Sequence, residues 1–188
     1  HLAQRYALRG YRVLTIDMDP QASLTTMFGY RPEIEFAETG TIYDALRYED
    51  PVPLSQVVRK TYFHNLDLVP AGLLLSEYET ETAYALQHRL EPPFTQRLSV
   101  AIGEIEEDYD LVIIDTPPVL PVSDALVVGV NVDGVVLVAR MMETRRAALK
   151  RAIDAVSKVN AQLLGVVGNA AVKQEEKAYG EGYGYGYG

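Results

Sequence analysis

Two apolar runs, each ending in aspartate, carry the residues of this chain best suited to chemistry. The first is Arg12-Val-Leu-Thr-Ile-Asp17-Met-Asp19-Pro20-Gln21, and the second is Tyr109-Asp-Leu-Val-Ile-Ile-Asp115-Thr116-Pro117-Pro118. Runs that are apolar on both faces suit central strands of a parallel sheet covered by helices. Ligands of such sheets bind beyond the carboxyl ends of the strands. Asp17, Asp19 and Asp115 are therefore expected at one edge, placed to hold a magnesium ion and order a water. The alternative is that one or two of them cap the next helix.

The elements that must position these residues alternate. The pattern predicts strands at Tyr11–Asp17, Leu66–Val69, Leu111–Asp115, Gly134–Ala139 and Leu163–Val167. It predicts helices at His1–Arg9, Ala22–Phe28, Ile42–Tyr48, Leu54–Lys60, Leu75–His88, Phe94–Glu107, Asp124–Val130 and Glu143–Asn160. This order implies an α/β fold, a mostly parallel sheet with helices on both faces and right-handed crossovers. Gly29 to Gly40 reads as a turn-rich acidic connection, and Glu91-Pro92-Pro93 breaks the chain.

Composition fits one α/β domain over residues 1–172. The chain has 188 residues, 48% of them hydrophobic, enough for a sizeable core. It has no cysteine, which excludes a disulfide frame and a cysteine zinc site. No apolar run approaches the length of a membrane span. The net charge of −9 argues against a broadly basic surface for nucleic acid. Positive charge is nevertheless clustered, at Arg5, Arg9 and Arg12 and again at Arg140, Arg145, Arg146, Lys150, Arg151 and Lys158. His1, His64 and His88 lack metal-ligand spacing. Residues 173–188 form a low-complexity tail ending in Tyr179, Tyr183, Tyr185 and Tyr187 among glycines, expected to be disordered in isolation.

Asp17-Met-Asp19-Pro20-Gln21 resembles an acidic motif of the ParA/MinD superfamily of deviant-Walker ATPases, and Val112-Ile-Ile-Asp115 resembles their Walker B strand. Leu8-Arg-Gly-Tyr-Arg-Val-Leu, Arg59-Lys-Thr-Tyr-Phe and Leu66-Asp-Leu-Val-Pro-Ala are similar to plasmid-partition ATPases of the ParA type. Beyond about residue 91, Asp115-Thr-Pro-Pro-Val-Leu, Ser123-Asp-Ala-Leu, Val135-Val-Leu-Val-Ala-Arg, Thr144-Arg-Arg and the tyrosine-rich end look like bacterial tyrosine kinases of capsule and exopolysaccharide assembly.

The resemblance implies a P-loop NTPase fold, ATP and Mg2+ as cofactors, and phosphoryl transfer, a chemistry of positioning and charge neutralisation. Asp17 and Asp115 would serve the metal, Asp115 through water. Asp19 would orient an attacking water or take the proton of an attacking hydroxyl, which makes Asp17 and Asp19 the catalytic candidates. Thr116, at the head of Thr116-Pro117-Pro118, would belong to a switch reporting the γ-phosphate; read from the prolines alone, it is a plain strand exit. Asn169 would hydrogen-bond the adenine, its amide offering both donor and acceptor, or it is an ordinary turn asparagine. The superfamily also uses a Gly-rich loop ending in Gly-Lys-Thr or Gly-Lys-Ser, which does not occur in this sequence. In the family, a helix like His1–Arg9 directly follows that loop. The chain is thus expected to be a fragment lacking the first strand and the phosphate loop, and to bind ATP poorly.

Three functional readings follow. The first is a partition ATPase, a homodimer at the nucleoid with DNA and a partition protein as partners, touching one of them through Arg145, Arg146 and Lys150. The second is a cytoplasmic tyrosine autokinase at the inner membrane face, with a membrane adaptor as partner and Tyr179, Tyr183, Tyr185 and Tyr187 as phosphorylation sites. The third is a nucleotide-free remnant acting by protein contacts. Asp19-Pro20-Gln21 favours the first, because the kinase branch continues that motif differently.

Overall fold

The computed structural model describes residues 1–120 and 124–170. Its elements in chain order are α1 (Leu2–Ala7), β1 (Val13–Asp17), α2 (Ser23–Met27), α3 (Pro32–Glu35), α4 (Ile42–Leu46), α5 (Leu54–Val57), β2 (Arg59–Lys60), β3 (Leu66–Val69), α6 (Glu77–His88), α7 (Phe94–Gly103), β4 (Leu111–Asp115), α8 (Asp124–Gly129), β5 (Val135–Arg140), α9 (Arg146–Lys158) and β6 (Leu163–Asn169). Strands pair in the order β2-β3-β1-β4, with β5-β6 as a separate parallel pair.

Strand β1 occupies the interior of the larger sheet because every residue of it is buried. It runs parallel to β3 from Val13↔Leu66 to Ile16↔Val69, and parallel to β4 from Val13↔Leu111 to Asp17↔Asp115. Alternate residues face opposite layers. Val13, Leu66, Leu68, Leu111 and Ile113 pack with Ala3 and Ala7 of α1 and with Phe28. Leu14, Ile16, Val69, Val112 and Ile114 pack with Ile42 and Leu46 of α4, Leu54 and Val57 of α5, and Leu98 and Ala101 of α7. Leu14 and Ile16 are fully buried, each worth roughly 2 kcal/mol of removal from water. The sheet is therefore a sandwiched layer, and Asp17 and Asp115 share the strand parity of Val13 and Leu111.

Two local devices hold the layer around α4. Thr41 and Asp44 form a capping box at its start, with the Thr41 amide donating to Asp44 Oδ2 at 2.9 Å. At its end the buried Arg97 of α7 donates to the carbonyls of Leu46 and Arg47. The Arg97 guanidinium also lies over the Tyr48 ring, 4.1 Å from its centroid.

Several elements depart from the periodicity. The helix expected to reach Lys60 ends at Val57, and Arg59 and Lys60 pair antiparallel with Leu68 and Asp67. A sheet edge and the 2.8 Å Lys60–Asp67 ion pair override helix propensity there. The helix expected from Glu143 starts at Arg146, because Thr144 Oγ1 accepts the Arg140 amide at 2.9 Å and Glu143 pairs with Arg140 at 3.1 Å. The helix expected to Glu107 stops at Gly103, a poor helix former. Arg12 then pairs with Asp110 at 2.8 Å, fixing the entry into β4. A short helix, α3, lies inside the connection from Gly29 to Gly40.

Replacing Arg97 by alanine leaves two carbonyls and one ring face without their partner. Urea unfolding of Arg97→Ala is expected to show a loss of about 2–3 kcal/mol. Lysine, which lacks the planar fork, should recover less than half of that.

Candidate functional site

The site is built from the carboxyl ends of β1 and β4. The Asp17↔Asp115 register brings the two aspartates side by side, and the Met18 amide extends the pairing by donating to the Asp115 carbonyl at 2.8 Å. The chain then turns back through Asp19-Pro20-Gln21. Asp19 Oδ1 accepts the Gln21 amide at 2.9 Å and the Asp19 carbonyl accepts the Ala22 amide at 2.8 Å. Ala22, buried and left-handed at φ 51°, leads into α2.

The three carboxylates have different surroundings. Asp17 is fully buried. Its Oδ2 accepts both the amide of Thr25 (2.8 Å) and its hydroxyl (2.7 Å), and its Oδ1 accepts the Asp19 amide at 3.2 Å. Thr25 Oγ1 in turn accepts the Ala71 amide at 3.0 Å. This chain of bonds joins the end of β1, the first turn of α2 and the loop after β3. Burial pushes the Asp17 carboxyl above the ordinary range, and the Thr25 and Asp19 donors oppose it. Asp115 opens to solvent. Partial loss of hydration raises its carboxyl, with the charges of Asp17 and Asp19 acting in the same direction and the Thr116 amide against them. Asp19 is half-buried, and Thr116 is half-buried directly after β4.

Asp17, Asp19 and Asp115 thus form one electrostatically coupled group. Among the described residues, no set of three or more His, Asp or Glu side chains is arranged to hold a metal ion directly. The donors fit a water-mediated magnesium site: Asp115 presents an open carboxylate, while Asp17 is committed to Thr25. Magnesium characteristically keeps several waters and takes one or two carboxylates.

The remaining sequence candidates lie on the second strand pair. Asn169 ends β6 opposite Arg140, is exposed, and its Oδ1 accepts the Ala170 amide at 2.8 Å. Arg145 and Arg146 begin α9 after the loop leaving β5, and Lys150 follows one turn on; all three are exposed and make no ion pair among the described residues. Tyr179, Tyr183, Tyr185 and Tyr187, and Ser123 before α8, lie outside the described residues. Periodicity did not reveal Thr25 as the residue that fixes Asp17. The available signal was a hydroxyl in the first turn of the helix after Asp19-Pro20-Gln21. Ala71 takes part only through its amide, which no side-chain pattern reveals.

A cleft of about 600 Å³ lies at the opposite, amino end of the sheet, lined by Arg12, Lys60, His64, Asp67 and Tyr109 among others. Its charges are largely internally satisfied, Asp67 accepting from Lys60 at 2.8 Å and from the Tyr109 hydroxyl at 2.9 Å.

Comparison with known proteins places this geometry in context. The family model described as "AAA domain" matches residues 1–164, running through Pro92 without a break. A putative replication protein A of Rhizobium rhizogenes is 49% identical over 123 residues, 64% of this chain and 30% of that protein. A ParA family protein of Chlamydia muridarum is 36% identical over 111 residues, 58% of this chain and 39% of that protein. The chain thus spans about a third of the length of the curated relatives it matches. Among solved structures, a plasmid partition protein from Borrelia burgdorferi aligns with TM-score 0.69 and 25% identity, over 94% of this chain and 74% of the other. The kinase domain of the Escherichia coli tyrosine kinase ETK aligns with TM-score 0.70 and 26% identity, over 99% and 64%. A cobyrinic acid a,c-diamide synthase from Mycobacterium smegmatis with bound ADP and magnesium shares the fold with TM-score 0.75 at 22% identity, over 89% and 65%.

Carboxyl NMR titration tests the coupling. Asp17→Asn should lower the pKa of Asp115 toward its ordinary value, because one of the charges raising it is gone. The raised carboxyls also fix a sign for stability. Between an ordinary carboxylate pKa of about 4 and the higher folded value, the folded state binds more protons than the unfolded state. Stability contributed by these groups is therefore lost as pH rises through that window, and Asp115→Asn should flatten the decline. Thr25→Val, which removes one of the two donors to Asp17 Oδ2 and strands the Ala71 amide, should cost about 3 kcal/mol in denaturant unfolding.

Proposed function

The chain belongs to the AAA domain family, within the ParA/MinD superfamily of deviant-Walker ATPases, and from that membership we propose that it forms the carboxylate half of an ATP-dependent partition switch. The observation that carries the reading is the side-by-side placement of Asp17 and Asp115 at the carboxyl end of adjacent parallel strands, with Asp19 on the turn that follows. Asp115 would hold magnesium through water, with Asp17 behind it. The ion would supply neutralisation of phosphoryl charge. Asp17, locked by Thr25, keeps the turn in place. Asp19, with one oxygen engaged by the Gln21 amide, offers the other to orient a water. Thr116 follows Asp115 closely enough to couple the site to the loop beyond β4, and Asn169 sits at the strand end where a purine edge would be read.

The switch acts as a dimer, and its output is DNA contact through the exposed cations Arg145, Arg146 and Lys150. Support comes from the ParA family relative, the partition-protein structure and the fold shared with an ADP–magnesium complex. The second reading, a tyrosine autokinase, is favoured by the match to the ETK kinase domain and by the tyrosines at positions 179–187. Its partner would be a membrane adaptor. No helix among the described residues is long and apolar enough to cross a membrane.

A chimera carrying the strand and Gly-Lys-Thr or Gly-Lys-Ser loop of a relative ahead of residue 1 tests the choice. With magnesium and ATP it should bind duplex DNA in a filter assay, whereas residues 1–188 alone should bind ATP weakly in calorimetry. Replacing Arg145 and Arg146 by alanine should reduce the slope of log affinity against log salt by about 2, because each lost phosphate contact releases about one counterion fewer. Deleting residues 179–188 should leave DNA binding unchanged. Phosphotyrosine on the tail by mass spectrometry, suppressed by Asp19→Asn and without DNA binding, would replace this reading with the kinase.

A further inference from the structure

Strand β3 carries an acid where an interior strand of a covered sheet is ordinarily apolar. It reads Leu66-Asp67-Leu68-Val69, and every residue of it is buried. Asp67 itself is only 8% exposed. A buried carboxylate is costly unless donors reach it, and the chemistry at Asp17 and Asp115 makes no use of this one. Asp67 lines the cleft of about 600 Å³ at the amino end of the sheet, together with Arg12, Lys60, Phe63, Asp108 and Tyr109.

The donors reach one oxygen only. Asp67 Oδ2 accepts from Lys60 Nζ at 2.8 Å and from the Tyr109 hydroxyl at 2.9 Å. Among the described residues, Oδ1 accepts no hydrogen bond, and it is not sealed from solvent. The charges of the wall are unequal as well. Arg12 is held by Asp110 at 2.8 Å, and its Nη1 donates to the Glu107 carbonyl at 3.0 Å. Lys60 is held by Asp67. Asp108, exposed and next to Tyr109, forms no ion pair among the described residues. An anion would therefore meet cations already engaged. A cation would meet Asp108 and the spare oxygen of Asp67, on a chain of net charge −9.

Lys60 shows which cation the wall accepts. Its ammonium sits on the Asp67 carboxylate while its side chain is 86% exposed. Only the tip is engaged, on a flexible four-carbon stem that can swing away. Lys60 is thus a tethered counterpart of a primary ammonium ligand. The cleft is far larger than one ammonium group and falls within the roughly 300–1,000 Å³ of small-molecule pockets. Phe63 and Tyr109 add ring surface, which takes methylenes and attracts cations.

We propose that this cleft binds a small aliphatic diamine in its doubly protonated form, one ammonium donating to Asp67 in place of Lys60 and the other meeting Asp108. Primary alkylamines are charged at neutral pH, as the lysine amine is. The cleft lies at the other end of the sheet from Asp17 and Asp115, so the inference stands or falls independently of the nucleotide reading.

Carbon-13 NMR of the full chain tests it, reading the Asp67 carboxyl carbon and the Tyr109 ring as butane-1,4-diamine is added at constant ionic strength. Both signals should move together and saturate. Butylamine, with a single ammonium, should bind more weakly, and Asp108→Asn should remove the advantage of the diamine. Lys60→Ala takes away the internal competitor and should tighten binding by about fivefold, the upper range for an exposed ion pair. Lys158→Ala, the same charge change on α9, should leave the affinity as it was. Asp67→Asn should abolish the saturable response of the Tyr109 ring, with the β1 amides reporting that each variant is folded. Shifts that grow without saturating, or equal affinity for diamine and butylamine, would overturn the proposal. So would equal effects of Lys60→Ala and Lys158→Ala, which mark general attraction to an acidic chain.

Discussion

The burial of the Asp17 carboxylate, satisfied by Thr25, is the interaction on which the site depends. An uncompensated carboxylate in a fully buried position is costly enough to unfold or neutralise it. Here three donors converge on it, two from one threonine. The same threonine hydroxyl accepts the amide that follows Pro70, so the ends of β1, α2 and β3 are set by one side chain. The cost of holding a charge at that point is met by donors that also fix the backbone. Geometry and electrostatics are thus one constraint: loosening Thr25 would free the turn containing Asp19 and leave the buried Asp17 short of donors.

From that anchor the remaining geometry follows by strand register. β1 is buried throughout, so its alternation cannot slip without placing Asp17 in the opposite layer. The parallel register with β4 then leaves Asp115 beside it, and the Met18–Asp115 bond carries the alignment past the last strand residue. Asp115 remains open where Asp17 is closed. This asymmetry sets them apart: one carboxylate organises protein, the other is open to solvent.

The shared scaffold explains why two enzyme readings arise from one chain. Structures of a partition protein, a diamide synthase and a tyrosine kinase domain all superpose on it. Such a fold supports several chemistries, and function resides in the site and in the segments around it. Asp19-Pro20-Gln21 speaks for the partition branch, the tyrosine tail for the kinase branch. The carboxylate pair itself is neutral between them, because both chemistries move a phosphoryl group at a magnesium ion.

The sequence by itself determined the strands that matter. Leu66–Val69 and Leu111–Asp115 were legible to the residue, because a doubly buried strand must be apolar on both faces and its acidic end stands out against that run. The juxtaposition of Asp17 and Asp115 followed from the same logic. Tertiary structure decided what local pattern cannot encode. Arg59 and Lys60 became a strand because Asp67 and Leu68 lay opposite, although the preceding residues read as helix. Thr25 became the keeper of Asp17 because folding brought a helix turn against a strand end, and the Ala71 amide joined them without any side-chain signature. The separation of β5 and β6 from the larger sheet was likewise not legible in local pattern, since β4 and β5 have the composition of paired strands and only the spatial arrangement shows two separate sheets among the described residues.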